Sequence, residues 1–226
     1  MGFSTIDDIS GGVEISERNF NIAGVKDLFS RGFPALRGGG EYFHIRGTLG
    51  KKQNNVLVSW MNPYLNDSLW RFGVEITRTY SELQQNTKII TYGGSVFTSY
   101  PINNFWTFGM RERLRHSHDY VDLRAYGNSP EALASYNHQK SLLDQEGLVS
   151  AFSGNLGYNS TDNAYKPHRG WRSLFEPEIA GVGGNFYFGK LSYLNSIYFP
   201  LWKKGTLKFK AEFRFLFPYG ETANDA

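Results

Sequence analysis

The sequence predicts an all-β protein that forms an antiparallel transmembrane β-barrel, and this prediction rests on three observations. First, apolar residues alternate with polar or charged ones from Thr206 to Phe215 of the stretch TLKFKAEFRFLF, residues Thr206–Phe217. Second, the candidate strands run roughly 9 to 16 residues, enough to cross a bilayer when tilted, whereas soluble strands average about 5–6. Third, the chain combines 16% aromatic residues with 25 glycines and has no run of 18 apolar residues. This composition is typical of turn-rich β architectures, and it excludes a transmembrane helix.

The alternation in Thr206–Phe217 builds one apolar and one charged wall, because successive side chains of a strand point to opposite faces. The apolar set is Leu207, Phe209, Ala211, Phe213, Phe215 and Phe217. The charged set is Lys208, Lys210, Glu212 and Arg214. A soluble sheet would turn the apolar wall to a core, and a barrel would turn it to lipid. Both readings stay open at this strand, and strand length favours the barrel.

Segments in which apolar and polar residues alternate lie between clusters of turn residues, and they predict about ten full strands and a short strand at Gly2–Thr5. A Gly-rich stretch with Pro34 and no period predicts a long connection after the first full strand. Polar tips such as KKQNN at residues 51–55, and the Asn103-Asn104 pair, predict hairpin turns. The predicted strands are residues 12–20, 42–50, 56–65, 70–80, 88–101, 105–121, 148–159, 171–179, 186–199 and 206–219.

One segment breaks the β rhythm and predicts a short helix at about residues 130–146, within a loop. Ser129 suits the N-cap and Pro130 suits the first helical position. Leu133, Tyr136 and Leu142 then give a partial helical stripe.

Charge and chemistry point away from catalysis and from nucleic acid. The net charge of +3 is too small to indicate nucleic-acid binding, and the absence of cysteine removes thiolate chemistry. The His116-x-His118 pair lacks a specified third metal ligand. Glu176 and Glu178 share a strand face, but Pro177 between them and nearby Arg172 indicate a polar lumen rather than a glycosidase pair. We therefore predict no catalytic residue, cofactor or metal.

The same alternation predicts which charged side chains face a hydrated lumen. Arg111, Arg113 and Arg115 form the densest basic row, and carboxylates on other strands can pair with them. The predicted lumen-facing set is Arg111, Arg113, Arg115, Glu176, Glu178, Lys208, Lys210, Glu212 and Arg214.

Several segments in order resemble the barrel of the BamA-type outer-membrane assembly proteins, with a spacing most like that of chlamydial versions. GVEISERNF at residues 12–20 looks like that family's second barrel strand, and SWMNPY at 59–64 looks like its next strand pair. Residues 158–171, with Asp162 and the Pro167–Gly170 turn, and residues 187–200 resemble later strands and their connection. The predicted helix lies where these barrels carry a surface-loop helix.

The resemblance implies an integral outer-membrane protein that folds and inserts other barrels through a seam between its first and last strands, without making or breaking a bond. Gly2, Phe3, Ser4 and Thr5 would correspond to the first seam strand. The implied partners are outer-membrane lipid, unfolded outer-membrane proteins and assembly-complex lipoproteins, and no nucleic acid.

The chain also departs from the family pattern, and other readings remain. We interpret no segment of residues 1–226 as a POTRA domain, a signal peptide or the Val-Arg-Gly loop element of the family. We therefore expect residues 1–226 to form one partial barrel domain, with about 10–11 of 16 meandering strands. A passive porin or secretion-type barrel is the second hypothesis, and a soluble sandwich or lipocalin-like binder is the third.

Overall fold

The computed structural model describes residues 2–4, 8–82, 87–122, 129–163, 165–202 and 205–220. Eleven strands lie in these ranges. They are β1 (Gly2–Ser4), β2 (Asp8–Phe20), β3 (Glu41–Gly50), β4 (Gln53–Asn62), β5 (Arg71–Glu82), β6 (Thr87–Pro101), β7 (Trp106–Val121), β8 (Gln145–Asn159), β9 (Gly170–Ala180), β10 (Phe188–Trp202) and β11 (Gly205–Pro218). One sheet contains them all, in the order of the chain.

Neighbouring strands pair antiparallel in β1 to β4 and in β8 to β11. Short connections join most neighbours, as expected for successive antiparallel hairpins. The predicted meandering all-β fold is confirmed. Most strand ends differ from the prediction by one to four residues, and two of them have a clear cause. β2 begins at Asp8 rather than Gly12, and β4 ends at Asn62 rather than Leu65 because Pro63 cannot donate to a ladder.

The chain forms two compact units. The first comprises Met1–Pro63, Gly73–Ser95 and Leu114–Val149, and the second comprises Tyr64–Phe72, Val96–Arg113 and Ser150–Ala226. β5, β6, β7 and β8 therefore contribute residues to both. Each unit is described separately below.

In the first unit, the connection between β2 and β3 is folded, although its sequence predicts no regular element. Two 3-10 helices, Ile22–Asp27 and Phe33–Leu36, flank the short helix α1 (Leu28–Arg31). Backbone bonds tie its two ends together: Asn21 N–H donates to the Leu36 carbonyl at 2.8 Å, and Gly38 N–H donates to the Asn19 carbonyl at 2.9 Å. These contacts join residues far apart in sequence, so a local pattern does not reveal them.

Gly24 sets how closely this connection can pack. A Cβ at Gly24 would lie 1.8 Å from the Ala35 carbonyl oxygen, so the backbone would have to move. We expect Gly24→Ala to destabilise the unit by about 1–3 kcal/mol, as overpacking does. Gly11→Ala is the control, because a Cβ at Gly11 meets nothing within 4 Å. Urea midpoints and protease cleavage at residues 21–40 measure the effect, and equal midpoints for the two variants would contradict it.

The first unit also carries the predicted loop helix, α2 (Pro130–Leu143), which ends three residues before the expected limit. The Ser129 hydroxyl accepts a bond from Ala132 N–H at 3.2 Å, which caps the first turn as the sequence predicts. Near its end, His118 Nε2 of β7 lies 3.5 Å from Asp144 Oδ1. No helix among the described residues is long and apolar enough to cross a bilayer.

Candidate functional site

In the second unit, strand register gives the β9–β11 sheet an apolar face and a polar face. Phe213 of β11 lies opposite Tyr193 of β10, which lies opposite Phe175 of β9. The next row along belongs to the other face: Arg214 lies opposite Ser192, which lies opposite Glu176. The alternation read along one strand therefore continues across three.

The apolar face carries exposed large side chains, whereas two polar residues of the other face are buried. Phe209, Phe213 and Phe215 on the apolar face are 57%, 55% and 65% exposed. Ser196 and Glu178 on the polar face are 3% and 7% exposed. Soluble domains bury large apolar side chains and expose charges. Among the described residues, no large side chain is fully buried.

The most enclosed charge on the polar face is Glu178, which two cations contact. Arg113 of β7 reaches Glu178 Oε1 at 2.6 Å, and Lys190 of β10 reaches Oε2 at 3.2 Å. The Glu178 side chain is 4% exposed, whereas those of Arg113 and Lys190 are 36% and 27% exposed. A carboxylate can be buried only where opposite charge and hydrogen bonds compensate, and here both oxygens have a cation. This three-residue set is called the Glu178 triad below.

The other charged residues of the second unit that we predict to face the lumen lie on this polar face, or on β7 on the same side of the strand as Arg113. On β11, Lys210 and Arg214 both form ion pairs with Glu212, the former at 3.0 Å. Glu176 lies opposite Ser192. Lys208 lies with its Nζ 5.5 Å from the Tyr198 ring centre, and Arg111 lies 4.9 Å from that of Phe97. Arg115 is an exposed residue of the first unit.

The first unit repeats the two-faced arrangement. Val13 and Ile15 of β2 are 68% and 57% exposed, and Ile15 lies opposite Ile45 of β3. On the opposite parity, Glu14 accepts from His44 Nε2 and Arg46 Nη2, each at 3.0 Å. An exposed apolar row beside an ion-paired row is therefore a property of both units.

The predicted seam strand is a short edge. In β1, Gly2, Phe3 and Ser4 lie opposite Ser10, Ile9 and Asp8 of β2. Thr5 lies outside the described residues. In the order of the described strands β1 is first, and it has β2 on one side. Alternate N–H and C=O groups of such a strand point away from its partner.

The Asp162 turn, between β8 and β9, is held by a carboxylate outside the strands. Asp162 Oδ1 accepts from His168 N–H at 2.9 Å and from Arg169 N–H at 3.2 Å. The bond from His168 is the main reason that the pKa of Asp162 lies below its usual value. Because that pKa is lowered on folding, the turn is favoured above the ordinary aspartate pKa and loses this support as acid protonates Asp162.

The chain matches the Omp85 superfamily domain over residues 36–225. The chain belongs to the Omp85 superfamily. A curated relative, the outer membrane protein assembly factor BamA of Neisseria meningitidis serogroup B, is 24% identical over 202 residues, 83% of this chain. The chain spans about a quarter of that relative's length, 24%. The crystal structure of BamA from Haemophilus ducreyi lacking POTRA domains 1–3 matches with a TM-score of 0.66 and 16% identity, covering 95% of this chain and 39% of that one.

These comparisons confirm the predicted resemblance, fold and location. The Omp85 match extends over most of the strands, and the solved BamA barrel has the same fold. The chain is an outer-membrane β-barrel segment of BamA type, as the sequence predicts. A soluble sandwich or lipocalin-like binder is therefore wrong.

Three interactions of this Omp85 chain escape the sequence analysis. Lys190 completes the Glu178 triad, although its strand shows no basic row. In the first unit, Lys88 and Asp122 form an ion pair between β6 and the end of β7. Glu41, only 8% exposed, accepts Trp60 Nε1–H at 2.9 Å and Ile22 N–H at 2.7 Å. A charged residue at the start of a predicted strand is the only signal in the sequence that marks Glu41.

Proposed function

We propose that this chain forms part of an outer-membrane assembly factor that folds and inserts other β-barrel proteins. The observation that carries the proposal is β1, a three-residue edge at the start of the sheet order of an Omp85 chain. The name of the Neisseria relative, an assembly factor, supports the same activity. The partners of this activity are unfolded outer-membrane proteins, the surrounding lipid and lipoproteins of an assembly complex.

The proposed mechanism is strand addition at a lateral seam. The outward N–H and C=O groups of β1 have no water to bond in the hydrocarbon region, and each unsatisfied group costs several kcal/mol. A strand of the client protein satisfies them by pairing along the edge, which templates the next hairpin. The backbone supplies the recognition, so clients of different sequence can use one edge. No bond is made or broken, and no residue acts as a catalyst.

In this mechanism the polar face turns to a hydrated lumen and the apolar face turns to lipid. β9 and β11 carry both positive and negative side chains that form ion pairs, including those of the Glu178 triad. Such paired charges suit a water-filled interior. The exposed phenylalanines of β11 suit hydrocarbon. Arg111, Arg113, Arg115, Glu176, Glu178, Lys208, Lys210, Glu212 and Arg214 are the lumen-facing charges of this proposal.

Proline scanning of β1 tests the seam. Along an antiparallel edge, one residue bonds its partner and the next points its N–H outward. Of Phe3→Pro and Ser4→Pro, one therefore removes a bond to β2 and the other removes an outward donor. The variant that keeps the stability of the barrel is expected to slow client folding about tenfold, because proline blocks strand addition.

The measurement is the rate at which a urea-unfolded eight-strand barrel gains heat-modifiable mobility in vesicles that contain the complete protein. The urea midpoint of each variant identifies which proline disturbs β2. A stable variant that assembles the client at the original rate would show that β1 does not receive clients. If neither the original protein nor any variant accelerates folding above empty vesicles, the passive porin reading replaces the proposal.

A further inference from the structure

A cleft in the first unit opens beside the apolar face of β2 and β3. Its volume is about 690 Å³, within the range of about 300–1,000 Å³ usual for ligand pockets. One wall is the strand face itself and the other is the β2–β3 connection. The apolar lining includes Ile15, Phe43 and Ile45 of the strands and Phe33, Pro34 and Leu36 of the connection.

The connection is rigidly built, yet it displays apolar side chains. Phe20 is 7% exposed and stacks on Phe43 with ring centres 4.6 Å apart. A Cβ at Gly39 would lie 2.4 Å from the Phe20 carbonyl oxygen, so that end of the connection is tightly packed. In contrast, Phe29 and Phe33 are 100% and 80% exposed. Large aromatic side chains held outward by an ordered segment mark a surface that binds an apolar partner.

Cations accompany these aromatic residues. Lys26 and Arg31 are exposed on the connection, and Asp27 is the only carboxylate between residues 21 and 40. Arg37 lies at the rim of the cleft with a 72% exposed side chain, and its Nε donates to Glu17 Oε2 at 3.1 Å. A guanidinium has five N–H donors, so that bond leaves Arg37 capacity for a phosphate.

We propose that the cleft binds one phospholipid of the surrounding bilayer, with an acyl chain against Ile15 and Phe33 and the phosphate at Arg37. The cleft is continuous with the apolar face, which meets lipid in the proposed orientation of this outer-membrane chain. Aromatic and basic residues together are the combination found at the level of bilayer head groups. The inference rests on that orientation and is independent of the seam.

Photocrosslinking in cells that produce the protein tests the site. Benzoylphenylalanine replaces Phe33 in one variant, Phe213 in a second and Tyr165 in a third. Phe213 reports whether the apolar face meets lipid, and Tyr165, 99% exposed in the loop after β8, reports general exposure. After irradiation of the membranes, adduct masses are read. We expect phospholipid adducts at positions 33 and 213, at least threefold above those at 165.

The role of Arg37 separates a bound lipid from passing contact. Arg37→Gln is expected to lower the phospholipid adduct at position 33 at least threefold and to leave that at position 213 unchanged. Arg37→Lys should restore part of the yield, because the charge is retained. Protein adducts at position 33, whether with a second copy or another chain, would overturn the site. Lipid adducts at 213 without any at 33 would overturn it too, while the orientation would stand. Loss of lipid adducts at both positions would overturn the orientation and the site together.

Discussion

Phe213→Lys is expected to prevent stable insertion of the chain, with a loss of about 2–4 kcal/mol, the cost of a lysine at the lipid face near the bilayer midplane. Phe213 lies in the middle of β11 on the apolar face and is 55% exposed. In the proposed orientation its ring contacts hydrocarbon, where an ammonium group finds no partner. The amount of protein in the outer-membrane fraction and its urea midpoint in phospholipid vesicles measure the effect.

Leu194→Lys is the matched control, because it places the same charge on the opposite face. Leu194 lies directly opposite Glu212, so a lysine there would gain an ion-pair partner on the polar face. We expect its urea midpoint to stay close to that of the original protein. If Leu194→Lys abolished insertion and Phe213→Lys did not, the two faces would be assigned the wrong way round. Equal tolerance of both variants would remove the lipid-facing assignment of β11.

The strands could be predicted from the sequence because their signal is local. Along β11 the alternation runs for ten residues, Thr206 to Phe215, so period two stands out against any helical pattern. The helix α2 could be predicted for the same reason, since Ser129 and Pro130 lie at its start. The predicted start of β2 was wrong by four residues, because Asp8 and its neighbours are residue types that are common in turns.

The β2–β3 connection could not be predicted, since its folding depends on contacts distant in sequence. Gly24 packs on the Ala35 carbonyl, and Glu41 bonds both Ile22 and Trp60. The periodicity of a sequence does not reveal that a buried carboxylate such as Glu41 accepts a hydrogen bond from an indole N–H on another strand. The sequence also does not distinguish a glycine that close packing requires, such as Gly24, from a glycine in a loop where other residues would fit.

For the candidate site, the sequence predicts on which face of a strand a charged residue lies, but not which residue it pairs with. Parity alone places Glu176 and Glu178 on one face of β9, and places Lys210 and Glu212 together on β11. Which cation meets Glu178 depends on the register with β10 and on the approach of β7, which are tertiary facts. Strand parity therefore groups the charged residues by face, but it does not reveal that Lys190 contacts Glu178.

The Glu178 triad leads to the second large effect, expected for Glu178→Ala. Removing the carboxylate leaves Arg113 and Lys190 close together on the polar face without their shared anion. Breaking a fully buried pair costs about 3–5 kcal/mol, and the partial exposure of the two cations reduces this to about 2–3 kcal/mol. The urea midpoint of the folded protein in vesicles measures the loss.

Two further variants distinguish the effect of breaking the triad from the effect of removing any carboxylate on this face. Glu176→Ala removes a carboxylate from the same strand face, opposite Ser192, and should cost less than about 1 kcal/mol, as surface charges do. Lys190→Ala in the Glu178→Ala background should recover part of the lost stability, because it relieves the repulsion from Arg113. Equal midpoints for Glu178→Ala and Glu176→Ala would mean that water already screens the charges of the triad. In that event the polar face would contribute hydration rather than stability to the barrel.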